Sequence, residues 1–470
     1  MVKPQFTERM SPLDLLMPGA NIGTVLVFPT EIPHSDILAR FQFALEKVCE
    51  RIPWLKGRVV PTGKAAGMTA GFEIRWDAED KAPRILNKGV LHGASYEDLA
   101  AANMPLDGIP SEAWPMESAE QLEAGSGGSG APVFAASVFG FACGDAVGLC
   151  VQAHHNATDG FGFAAIIRLW GEIMSNKDSS SLFNSAVGRT ARLDAVLDGS
   201  ATTPISVDDL WARHAEYSQE PPCMPASFPD CTSEILTIPI SEIKDVQDRL
   251  QPYLETRPST NTVACALAWS AVMRARMQRI PDLASQTSRL PMAVNGRKRL
   301  DATLADPDDP YLGNAVLFAL AETPAADLLQ QTRGGIDDDD EASRKHLAGV
   351  VSAVAAALAP DRVDEAHVRE VCELVRGVGD HRRIFPGWQL FGARDVFVTS
   401  WADLDFYELA FGEGLGRPRF VRIPYVQADG NIIILPRRRG DGADEVLELV
   451  VMSRRDDLEI LKADAIWSRD

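Results

Sequence analysis

The stretch from 131 to 174 leaves the chain few choices of fold. "APVFAASVFGFACGDAVGLCVQAHH" holds two apolar runs joined at Cys143-Gly144-Asp145, a hairpin turn signal. After "NATDG" comes "FGFAAIIRLWGEIM", which spaces its apolar residues as an amphipathic helix does. A histidine pair, His154 and His155, therefore stands where a strand ends and a helix begins, so that side chains project into a cleft.

The remainder alternates strand and helix irregularly, which gives an α/β fold with mixed sheets. "DILARFQFALEKVCERIPWLKGRVV" places Ile37, Phe41, Ala44, Leu45 and Val48 at helical spacing, stops before Pro53 and continues as a strand. "EAGSGGSGAP" (123–132) reads as a flexible loop. Residues from about 176 to 232 mix Ser, Pro and Asp around one short helix, "VDDLWARHAEY", and read as the connection between two halves. The second half opens with a strand "ILTIPI", then helices in "SEIKDVQDRLQPYL" and "STNTVACALAWSAVMRARM". The acidic run "IDDDDEASRKHL" (336–347) precedes a further helix in "LAGVVSAVAAAL". The expected division is 1–178, a crossover linker at 179–232, and 233–470.

Composition excludes several classes. At 470 residues, 46% hydrophobic and 24% charged, the chain has the make-up of an ordinary globular protein. A net charge of -20 argues against nucleic acid as a partner, since counterion release needs a basic face. The N-terminus lacks an apolar signal region, and no run approaches 18 apolar residues, so no membrane association is expected. Seven scattered cysteines without CxxC spacing suit reduced thiols in the cytoplasm better than disulfides or zinc, and no metal is expected.

In "AHHNATDG", His155 and Asp159 are the chemically active pair. A neutral imidazole takes a proton at cellular pH, and a positioned histidine base contributes about 10²- to 10⁴-fold to a rate. Gly160 permits the tight backbone that starts the helix. The stretch contains no nucleophilic Ser or Cys, so the simplest use of His155 is to deprotonate an external nucleophile. HxxxD by itself more often marks a structural turn in which both histidines make hydrogen bonds, and only rarely a metal site, which would call for a further Cys/His cluster.

With its flanks, "FACGDAVGLCVQAHHNATDGFGFAAIIRLW" resembles the active-site segment of the BAHD acyltransferases and their fungal relatives, the trichothecene 3-O-acetyltransferases. Chloramphenicol acetyltransferase and peptide-synthetase condensation domains belong to the same superfamily. Four further segments agree in order: "MSPLDLLMP", "RPSTNTVACALAWSAVMRAR", "AVNGRKRL" with "PDDPYLGNAV", and "VTSWADLDFYELAFGEGLGRPRFVRIP". The resemblance spans nearly the whole chain. It implies two chloramphenicol-acetyltransferase-like domains in a monomer, with a solvent channel at their interface. Acyl-CoA, acetyl-CoA above all, would enter from one side and a small-molecule alcohol or amine acceptor from the other.

The resemblance also implies residue roles. His155 is the general base, Asp159 pairs structurally with Arg297, and Thr399 and Trp401 of the SW segment donate to the oxyanion; Trp401 equally suits core packing. Gly412, Gly414 and Gly416 shape a loop near the cofactor. The sequence departs from the family pattern at Ala410, where an aspartate is usual, which leaves that residue's ion pair without a counterpart. Arg274, Arg276, Lys298 and Arg299 are basic side chains placed to meet a CoA phosphate, and surface solvation explains each equally well. The implied reaction is O-acylation of a hydroxyl on a fungal-type secondary metabolite. Two alternatives stand beside it: a condensation-like enzyme using a carrier-bound acyl group, and cyclisation or rearrangement of a polyketide-like ligand.

Overall fold

The computed structural model describes residues 5–467 apart from 63–70, 92, 94, 117–129, 178–182, 184–187, 200–204, 330–340, 392–393, 440–444 and 465. Most of the 123–132 loop and the acidic part of the 336–347 run lie outside the described residues; the helix expected after that run spans Glu341–Leu358.

The hairpin and helix form where the apolar runs place them. Phe134–Gly140 and Ala146–His154 pair antiparallel across a turn in which Gly144 has φ +72°, a conformation glycine adopts without penalty. Gly160–Met174 is the helix. It packs on the helix His34–Arg51, whose buried Ile37, Phe41, Ala44, Leu45 and Val48 form one stripe. The Trp170 indole N–H donates to the Phe41 carbonyl at 3.2 Å, with ring centroids 5.7 Å apart.

These elements belong to a five-stranded sheet ordered Phe420–Arg422, Asn21–Pro29, Ala146–His154, Phe134–Gly140, Leu86–Val90, with only the last pair parallel. A six-stranded mixed sheet carries the second half: Cys231–Pro239, Val446–Arg454, Asn431–Ile434, Phe397–Ser400, Thr287–Asn295, Val316–Pro324. The helix Thr260–Arg279, capped by Ser259 accepting from the Thr262 amide, is buried almost all round in that half. A smaller sheet brings Gln5–Arg9 beside Gly71–Asp77 and Arg58–Thr62.

The two halves exchange parts. Phe420–Arg422 leaves the second half to pair with Asn21–Pro29, and Trp401, Phe406, Phe411 and Val421 join the first half's core. In return Leu13, Leu193, Leu197 and Leu210 pack into the second core. The segment expected to hold one helix holds two. Val207–Arg213 was legible, while Arg189–Asp198 is an additional helix held by buried Leu193 and Leu197 at i, i+4 spacing.

Arg422 fixes the exchanged strand. Fully buried, it donates to the carbonyls of Asn103 and Met104 at 2.7 and 2.8 Å and pairs with Glu448 at 2.9 Å. Arg422→Met should lower unfolding stability by about 3–5 kcal/mol, because it strands Glu448 beside unsatisfied carbonyls; urea denaturation followed by tryptophan fluorescence measures this.

Candidate active site

Asp159 is the N-cap of the helix Gly160–Met174, its Oδ1 accepting from the Gly162 amide at 2.9 Å. Both of its oxygens also face Arg297: Nη1 donates to Oδ2 and Nη2 to Oδ1, each at 2.9 Å. The Ala315 amide adds a fourth hydrogen bond at 2.9 Å. Arg297 is fully buried and spends its remaining donors on the carbonyls of Tyr311 and Gly313 and on Asn295 Oδ1, under the Phe161 ring at 4.7 Å. Burial alone would raise the Asp159 pKa, but the Arg297 charge and these hydrogen bonds win and hold it below the usual carboxylate range. The pairing expected between Asp159 and Arg297 is therefore present in bidentate form.

His155 follows the end of its strand. Its amide donates to the Ala20 carbonyl at 2.8 Å, and its own carbonyl accepts from Asn314 Nδ2 at 2.8 Å, so the backbone is clamped from both halves. The ring is partly exposed, with Nδ1 buried and without a hydrogen-bond partner. Burial pushes its pKa below the ordinary 6.5, opposed in part by the Asp159 charge, so the imidazole is neutral at pH 7. Its neighbour His154 is buried in the core and pushed down to about 4, by burial first and by His155 second.

A second buried acid was not singled out by sequence reasoning. Asp14, in "SPLD", caps its short helix reciprocally with Ser11. Its Oδ1 accepts from Arg189 Nη1 at 2.9 Å and from the Asn314 amide and Nδ2 at 2.9 and 2.8 Å. Arg189 also donates to the Ala157 carbonyl at 2.9 Å, and Asn156 Nδ2 holds the Asp14 and Met17 carbonyls. The histidine turn is thus tied at both ends: Asp159 to the second half, residues 155–157 to the N-terminus and the crossover. Asp14 and Asn314 lie inside segments that carried the family resemblance, the one available signal. Arg189 lies in the stretch read as a connection and gave none.

Trp401 reaches the turn. A Cβ built on Gly160 would lie 3.0 Å from Trp401 Nε1, so the missing side chain lets the indole close over the helix start. Among the described residues no protein acceptor takes the Trp401 indole N–H or the Thr399 hydroxyl, and Thr399 is half-buried two residues earlier along the strand Phe397–Ser400. The three loop glycines sit elsewhere. Gly412, Gly414 and Gly416 have φ of +83°, +83° and +63°, and a Cβ on Gly412 would meet the Met174 carbonyl oxygen at 2.5 Å. That is the far end of the helix from His155, about 20 Å away at 1.5 Å per residue. Arg40 Nη2 and Thr30 Oγ1 bind this loop's carbonyls at Glu413 and Gly414.

Three of the four basic candidates have structural partners. Arg274 pairs with Asp464, buried Arg276 with Asp429, and Arg299 donates to carbonyls at Leu358, Ala359 and Val363, where the helix Glu341–Leu358 ends.

Two expectations follow from this geometry. Arg297→Ala leaves Asp159 charged and buried, and should cost about 3–5 kcal/mol in chemical denaturation. Independently, the folded chain refuses on His154 a proton that the unfolded chain accepts between about pH 6.5 and 4. Stability should therefore fall as pH drops through that window, measured as a decreasing Tm.

Comparison with known proteins agrees with this arrangement. The Transferase family model matches residues 100–465, and a trichothecene 3-O-acetyltransferase-like N-terminal domain matches 21–172. The chain is similar to trichothecene 8-O-acetyltransferase of Fusarium sporotrichioides, 26% identical over 97% of this chain and 96% of that protein. It is also similar to O-acetyltransferase ptmV of Penicillium ochrochloron, 25% identical over 100% and 97%. Among solved structures, TRI101 of F. sporotrichioides complexed with coenzyme A and T-2 superposes with a TM-score of 0.77 at 20% identity, covering 98% of each chain. Apo TRI101 of F. graminearum superposes at 0.79 and 19% identity, covering 99% of this chain and 98% of that one. With a family model spanning more than three quarters of its length and a two-domain α/β fold shared end to end, this chain belongs to the Transferase family.

Proposed function

We propose that this protein is an acyl-CoA-dependent O-acyltransferase that moves an acetyl group from acetyl-CoA to a hydroxyl of a small secondary metabolite. The observation that carries the reading is the neutral imidazole of His155, clamped through its backbone by both halves and unpaired at the strand-to-helix junction. Relatives named as O-acetyltransferases and a neighbour bound to coenzyme A and T-2 support the donor and acceptor classes.

In this reading His155 Nε2 accepts the proton of the acceptor hydroxyl as its oxygen attacks the thioester carbonyl. The Trp401 N–H and Thr399 hydroxyl, which have no protein acceptor among the described residues, donate to the oxyanion as it forms. The C–S bond then breaks and the sulfur takes the proton back from His155, with no acyl-enzyme. Asp159 is a positioning residue: with four hydrogen bonds already accepted, its carboxylate holds the turn and leaves proton transfer to the imidazole. Gly412, Gly414 and Gly416 act on CoA indirectly, by shaping the loop against Met174. Residues 1–178 and 233–470 serve as the two domains, joined by 179–232. Seven unpaired thiols, five of them buried, fit a protein working in the cytoplasm, and the family resemblance implies a monomer.

Incubation with acetyl-CoA and a panel of terpenoid and polyketide alcohols should release free thiol. His155→Ala should lower that rate at least 10²- to 10⁴-fold with unchanged circular dichroism. Near-native turnover in that variant, or turnover only with a carrier-bound donor, overturns the proposal. The log of kcat/KM should rise with pH and level off at an apparent pKa below 6.5, because only the neutral imidazole accepts the proton.

A further inference from the structure

The sequence reading expects no metal, yet the fold gathers a ligand set far from the catalytic turn. His214 and Glu216 lie just after the helix Val207–Arg213 in the crossover, and His367 and Glu370 are i, i+3 neighbours on the helix Glu365–Val378. One ligand atom from each of His214, Glu216 and His367 falls within 4.8 Å of the others. His214 Nδ1 is 3.0 Å and His367 Nε2 3.1 Å from the same oxygen, Oε1 of Glu216. Metal–ligand bonds of about 2.0–2.1 Å in a tetrahedron give ligand–ligand edges of about 3.3 Å, close to both distances.

Two details suit this cluster to a metal ion. His214 Nε2 lies 3.2 Å from Glu370 Oε2, and Arg213 at 2.7 Å fixes that carboxylate. In the neutral tautomer whose Nε2–H is given to Glu370, His214 turns its Nδ1 lone pair toward Oε1 of Glu216. A cation between them, a metal ion or a proton on Nδ1, makes the 3.0 Å approach favourable. A carboxylate on the outer nitrogen is also the arrangement that orients metal-bound histidines. Secondly, His367 Nε2 is buried and has no partner in hydrogen-bond geometry, although Glu216 Oε1 is 3.1 Å away. Both atoms lie close enough to ligate one ion at a common centre.

We propose that His214, Glu216 and His367 bind one divalent transition-metal ion, zinc by the chemistry of two imidazoles and a carboxylate, with Glu370 orienting His214. The site is structural. It staples the crossover to the helix Glu365–Val378, which also holds Asp194 through Arg376 and the Val196 and Leu197 carbonyls through Arg369. The same helix packs against Pro12–Leu15, which carries Asp14, and Arg297–Leu300, which begins with Arg297. The ion therefore braces the layer behind both clamps of the catalytic turn.

Chelator-treated full-length protein, titrated with zinc by calorimetry and with cobalt by visible absorption, tests this. One zinc per chain, a tetrahedral cobalt spectrum and a zinc-dependent rise in Tm are expected. All three should vanish in His367→Ala, a part-exposed position, and in the bulkier His367→Gln should the first variant lose its circular dichroism. Glu370→Gln should weaken zinc binding about 10- to 100-fold. Absence of saturable zinc binding to the wild type, or wild-type binding in folded His367 variants, overturns the proposal, the latter assigning the ion to exposed groups such as Cys143 and Cys223.

Discussion

The bidentate pair between Asp159 and Arg297 is the interaction on which the rest of the site depends. It joins residues 138 apart in sequence, lies wholly inside the protein, and carries both charges out of water. Such a pair is stable only when every remaining donor and acceptor is used. That requirement is met: two backbone amides complete the carboxylate, two carbonyls and Asn295 Oδ1 complete the guanidinium, and an aromatic ring covers it. Because Asp159 is also the helix N-cap, the same contact that joins the halves fixes where the catalytic helix begins.

The second clamp makes the geometry of His155 a property of three chain segments at once. Asp14 draws in Arg189 and Asn314, and Asn314 reaches the His155 carbonyl. Nδ1 of the imidazole has no hydrogen-bond partner among the described residues, while its backbone is held on both sides. A base positioned this way keeps its proton affinity for the substrate. Charge is concentrated one layer behind the reacting ring, and burial rather than a neighbouring cation sets its pKa.

Exchange of segments between the halves serves the same end. Trp401 can lie over the helix start only because the chain after Ser400 crosses to the first core, ending in the strand Phe420–Arg422 that Arg422 anchors. The glycine loop 412–416 turns within this crossing, and its positive φ values reflect that path. Its distance from His155 follows from packing against the other end of the same helix.

Local pattern alone determined the strand, the turn and the helix around His155, because apolar periodicity and the glycine turn are properties of consecutive residues. Ile37 to Val48 and the capped helix after Ser259 were legible for the same reason. The roles of Arg297, Thr399 and Trp401 came through resemblance, since nothing in their neighbours points across the chain. Tertiary structure alone decided that Asp14 meets Asn314 across 300 residues, that Arg189 in the connecting stretch is buried, and that His214 and His367 both approach one Glu216 oxygen. Each is a polar residue whose partners the pattern of its own neighbours does not name. What gives it a partner is burial, which forces a charge or hydrogen-bonding group to find its complement wherever the fold brings one.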